Sequence, residues 1–109
     1  MHTFGYVDYI VDMLSPLKNI RVKRMFSGYG LYSGSKFFAL ILSDVLYFKV
    51  VEHERSIYQL HGSQPFTYTK KTGQRIALSY WQVPADIIEN QTKLIAWAER
   101  ALKTAEPSH

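Results

Sequence analysis

Cysteine is absent from all 109 residues. That absence excludes disulfide frameworks, thiolate metal sites and thiol nucleophiles, and it suits a reducing compartment. No apolar run approaches the roughly 20 residues a membrane-spanning helix needs. The opening residues, Met1-His2-Thr3-Phe4-Gly5-Tyr6, lack a basic segment, and Asp8 and Asp12 interrupt any apolar core of a leader, so no secretory signal is expected. Acidic residues are few, nine against thirteen Lys and Arg, for a net charge of +4. That balance permits contact with nucleic acid without requiring it, since strongly electrostatic binders gather charge into a stripe or tail. No repeat, linker or low-complexity stretch divides the chain, and one cytoplasmic domain spanning 1–109 is the expectation.

What is present is a large apolar and aromatic content, 47% and 15% of residues, enough to bury a core. Phe4, Val7, Ile10, Val11 and Leu14 recur at helical spacing, which predicts an amphipathic helix from Thr3 to about Leu17, ended by Ser15-Pro16. Ile20 and Val22 alternate with Arg21 and Lys23, a half-buried strand. The alternation slips at Arg24-Met25-Phe26, and Ser27-Gly28-Tyr29-Gly30 predicts a bulge or a close approach of another backbone. Ser33-Gly34-Ser35 makes a tight turn. The unbroken apolar run Phe37 to Leu42 predicts a central strand covered on both faces.

Ser43-Asp44 turns the chain into a strand from Val45 to Val51. Glu52 to His61 reads as a short helix with Ile57 and Leu60 inward, stopped by Gly62. Phe66 to Lys70 and Arg75 to Trp81 form a hairpin about Lys71-Thr72-Gly73-Gln74. Ile87 and Ile88 sit on a short helical turn. A last helix from Gln91 to Thr104, capped by Asn90, turns Leu94, Ile95, Trp97, Ala98, Ala101 and Leu102 inward. Helix, three or four antiparallel strands, helix, two strands and one or two helices is an α+β order.

Candidate chemistry is sparse. Gly28-Tyr29-Gly30 lacks the following helix N-terminus that a phosphate loop needs. His53 and His61 do not have the i, i+4 spacing of a helical zinc pair, His2 and His109 lie near the ends, and no third ligand is indicated. Ser27 and Ser33 lack the nucleophile-elbow pattern and read as turn residues. No catalytic, cofactor-binding or metal set emerges, and the expected protein is not an enzyme. Two basic groups stand out instead: Arg21, Lys23 and Arg24, with Lys18 nearby, and Lys70, Lys71 and Arg75 about the later hairpin. Either is a candidate contact for nucleic acid or a protein partner, or a charged face that blunts a sheet edge. Tyr29, Tyr32, Tyr47, Tyr68, Tyr80 and Trp81 recur along the strands. Some must lie on an outer face, where a protein partner or a homodimer would bury them.

The run Arg24-Met25-Phe26-Ser27-Gly28-Tyr29-Gly30-Leu31-Tyr32, with Lys36-Phe37-Phe38-Ala39-Leu40 and Leu46-Tyr47-Phe48-Lys49-Val50, resembles the N-terminal domain of the TfoX (Sxy) competence regulators. Pro65-Phe66-Thr67-Tyr68, the turn from Lys70 to Gly73, Leu78 to Pro84 and Trp97 to Leu102 continue the likeness, which covers about Leu17 to Lys103. Met25, Phe26, Gly28, Tyr29 and Gly30 are its structural core, and Ser27 stands where the family more often has glycine. The resemblance implies a fold like the type III secretion chaperones. It also implies a non-enzymatic role in transcription of bacterial DNA-uptake genes, through contacts with the transcription machinery or the cyclic-AMP receptor protein. It supplies no catalytic or ligand residue. The longer regulators carry a second, helical domain.

Overall fold

The computed structural model describes residues 5–25 and 28–105. Thr3, Phe4, Phe26 and Ser27, each named in the sequence expectations, lie outside them, as do residues 106–109. The order is α1 (Gly5–Met13), β1 (Ile20–Met25), β2 (Gly28–Ser33), β3 (Lys36–Leu42), β4 (Val45–Lys49), a 3-10 turn (Glu52–Glu54), α2 (Arg55–Leu60), β5 (Pro65–Thr69), β6 (Arg75–Gln82), α3 (Ala85–Ile88) and α4 (Gln91–Thr104). The strands make one antiparallel sheet in the order β1-β2-β3-β4-β6-β5. Short turns carry β2 into β3 and β3 into β4. Gly34 takes φ +61°, and Ser43 and Asp44 take +50° and +59°, the left-handed pair whose twist suits a two-residue hairpin.

The helices lie on one side of this sheet. Val7 and Ile10 of α1, Tyr58 of α2, Ile87 of α3 and Leu94, Ala98 and Ala101 of α4 pack into a single core with Leu31, Ile41, Leu46, Phe48 and Trp81 from the strands. Asn90 caps α4 as expected, its side-chain oxygen accepting from the Lys93 N–H at 3.2 Å. Gln91 Nε2 donates to the Met13 carbonyl at 3.0 Å and ties the start of α4 to the end of α1.

Three expectations are corrected. The register irregularity falls between Leu31 and Tyr32 rather than at the glycines. Ala39 pairs with Leu31 and Phe37 with Tyr32, leaving Phe38 as the extra residue, fully buried against Phe48 at 5.9 Å between ring centroids. Strand β3 is not covered on both faces. Leu40, on its second face, is nonetheless buried, at 8% exposed. Leu60 does not face inward. It is 86% exposed, because α2 is anchored by Tyr58, which lies 6.3 Å from Trp81 and 4.7 Å from Trp97.

Candidate functional site

Residues paired across antiparallel strands share a face. Leu31, Ala39, Ile41, Leu46, Phe48 and Trp81 therefore point together at the helices, and the alternate residues form the second face. That second face carries Arg21, Lys23 and Met25 of β1, Gly30 and Tyr32 of β2, Phe37 and Leu40 of β3, Tyr47 and Lys49 of β4, and Tyr80 of β6. Every α-helix sends its buried residues to the opposite side, so no described helix covers this one.

A row of side chains in mutual contact crosses this helix-free face, with Tyr32 at its centre packed down to 7% exposed. The Arg21 guanidinium lies 5.1 Å from the centre of the Tyr32 ring, Tyr32 stacks on Phe37 at 5.0 Å, and Phe37 meets Tyr80 at 5.6 Å. Lys49 Nζ sits 5.5 Å from the centre of the Tyr80 ring, and Tyr47 meets the edge of Phe66 at 5.5 Å. Arg21 is further held by a 2.9 Å bond from Nη2 to the Gly34 carbonyl. Burial pushes the Tyr80 hydroxyl up to about 12, with the neighbouring Tyr32 adding to the effect, and burial raises Tyr47 as well. Both phenols therefore stay protonated and able to donate at any physiological pH.

Charge is segregated by element. None of the six strands contains Asp or Glu, while they hold Arg21, Lys23, Arg24, Lys36, Lys49 and Arg75. Acidic side chains occur only in helices, turns and the C-terminal segment.

The structure brings Arg21 and Lys23 together on the bare face, but it puts Arg24 on the other side of β1, paired with Tyr29. Lys70, Lys71 and Arg75 stand about the β5–β6 turn, at the far end of the strand order. Five interstrand spacings, roughly 24 Å, separate β1 from β5, so the two basic groups form no common patch. Gly28 and Gly30 act by close approach. A Cβ on Gly28 would strike the Ile41 carbonyl and the Leu42 side chain, and one on Gly30 would come within 2.6 Å of Met25 Cε and 2.8 Å of Phe37 Cε1. Tyr29 packs against the helix-side core.

Sequence reading missed Phe37, Phe66 and Lys49 as face residues; at Phe37 an unbroken apolar run hides the alternation. It also missed Lys49 Nζ donating to Ser79 Oγ at 3.0 Å, a tie between β4 and β6. Among the described residues no three His, Asp or Glu side chains gather in a metal-binding arrangement. His61 donates from Nδ1 to the Ile57 carbonyl at 3.0 Å and packs edge-on to Trp97. A cleft of about 570 Å³ on the helix side is lined by Lys18, Lys36, Arg100 and Lys103 together with Glu99. Lys36 Nζ there donates to the Leu102 carbonyl at 3.2 Å, so its charge serves the C-terminal end of α4.

These features define an open-faced α+β sandwich, backed by helices on one side and presenting rings and cations on the other. The model of the TfoX N-terminal domain matches residues 12–105, and the chain belongs to that family. Protein Sxy of Escherichia coli (strain K12) is 28% identical over 94 residues, which are 86% of this chain and 44% of that protein. The chain thus spans less than half the length of this curated relative. No described helix is long and apolar enough to cross a membrane.

Proposed function

We propose that this chain is a non-enzymatic regulatory domain of the competence type, acting in transcription by docking a protein partner on the helix-free face of its sheet. The carrying observation is the row Arg21, Tyr32, Phe37 and Tyr80, with Lys49, on a face that no described helix covers. A platform for nucleic-acid bases needs free ring faces. Here Tyr32 lies between Arg21 on β1 and Phe37 on β3, and Tyr80 contacts both Phe37 and Lys49. Ring edges and hydroxyls are what the face offers, and these suit the apolar and polar groups of a protein surface. Transcription machinery and the cyclic-AMP receptor protein are the partners to try first, from the family's regulatory character.

The test is capture from a native extract by the tagged chain, with and without nuclease, alongside a Lys49→Glu, Tyr47→Ala variant. The reading expects a protein retained after nuclease treatment and lost with the variant. Purified cyclic-AMP receptor protein and RNA polymerase then identify it directly. Capture that disappears with nuclease overturns the reading in favour of direct nucleic-acid binding through Arg21 and Lys23, which the lack of carboxylates on the strands favours. That second reading requires affinity for DNA that falls steeply with salt.

A further inference from the structure

Strand β1 ends the sheet on its side. The Gly34 N–H donates to the Asn19 carbonyl at 2.9 Å, and Asn19 and Gly34 extend the β1–β2 register in which Ile20 pairs with Ser33. Hydrogen-bonded and non-hydrogen-bonded pairs alternate along an antiparallel ladder. Arg21–Tyr32, Lys23–Gly30 and Met25–Gly28 are therefore the bonded pairs. Ile20, Val22 and Arg24 turn their N–H and C=O groups away from β2, toward the edge that no described strand covers. This edge spans three residues at a repeat of about 6.8 Å, the spacing an added strand requires.

The side chains along this edge state what would fit. Arg21 and Lys23 stand on the bare face, Arg24 stands on the other, and Val22 is 42% exposed between them. No strand of the sheet carries a carboxylate to answer these cations. A second copy of β1 pairing here would set cation against cation, which is unfavourable for directly opposed residues. An extended partner segment with acidic residues alternating with apolar ones would match both faces at once.

We propose that the β1 edge receives an acidic, extended segment of the partner protein as a seventh strand. This rests on the reading that the partner docks at this sheet, and it adds where and how the partner engages. Backbone bonds to Ile20, Val22 and Arg24 supply the affinity, and Arg21 and Lys23 supply the selectivity for carboxylates.

The experiment uses the full chain and a synthetic peptide in which Glu alternates with Val. Saturable binding is expected, with amide hydrogen exchange slowed at Ile20, Val22 and Arg24. N-methylation of one alternate set of peptide residues should abolish binding, and N-methylation of the other set should not. This arm leaves the protein unchanged. Val22→Pro removes an outward N–H without touching the β1–β2 ladder, and it should weaken binding about tenfold or more while circular dichroism stays unchanged. Charge reversal at Arg21 and Lys23 should do the same. Four outcomes overturn the proposal: no binding, equal binding of a Lys–Val peptide, indifference to N-methylation of either set, or the same exchange protection from an oligothymidylate. Where Lys49→Glu, Tyr47→Ala abolishes partner capture and Val22→Pro does not, the face stands and the edge fails. The reverse pattern retains the edge and rejects the face.

Discussion

Gly30 illustrates how much one missing side chain decides. Its bare Cα lets Met25 and Phe37 close over β2, so Gly30→Val must displace both and disturb the ring row beyond. Overpacking of this kind costs about 1–3 kcal/mol or more, and urea unfolding should show that loss against the unchanged chain. The close approach was readable from glycine in a strand. Its partners were not, because Phe37 comes from a different strand and only the register brings it there. The buried phenols make a second prediction. Burial raises Tyr80 to about 12 and Tyr58 still further; at Tyr58, Glu54 adds to the effect and Arg100 opposes it. The folded state thus holds these protons more tightly than the unfolded chain, whose tyrosines ionise near 10. Their contribution to stability is complete below pH 10 and declines as pH rises toward 12. Phenolate absorbance and circular dichroism, followed together in that window, should show late ionisation coincident with unfolding.

At the scale of elements, α4 was legible nearly to the residue. A sustained 3.6-residue period and an Asn cap are local signals that tertiary contacts reinforce here. Asn90→Ala should cost about 1 kcal/mol in thermal or urea unfolding and leave the sheet intact. Helix α2 was less legible. At six residues it is too short for periodicity to name its buried face, and Tyr58 rather than Leu60 anchors it through contacts with Trp81 and Trp97. Strand β3 was recognisable as a strand, but its run of apolar residues concealed both the extra residue at Phe38 and the bareness of its second face. An apolar side chain can be buried by its neighbours in the same sheet, and composition does not distinguish that from a second layer.

At the scale of the molecule, the α+β order and the strand count follow from turn residues spaced along the chain. The strand order does not. Placing β6 beside β4, with β5 outside it, is settled by long-range pairing of Phe48 with Trp81, and that placement carries Lys70, Lys71 and Arg75 to the far end from Arg21. The separation of the two basic groups was therefore invisible in one dimension. The confinement of carboxylates to helices, turns and the C-terminal segment has a further consequence. It leaves the sheet with six cations on its strands and no carboxylate among them, a local excess of positive charge. In the field of a negatively charged partner the molecule turns before it touches, so encounters occur sheet-first more often than chance allows. The association rate should then climb as ionic strength is lowered and the screening length grows, while dissociation changes far less. Stopped-flow measurements at several salt concentrations would read that difference directly.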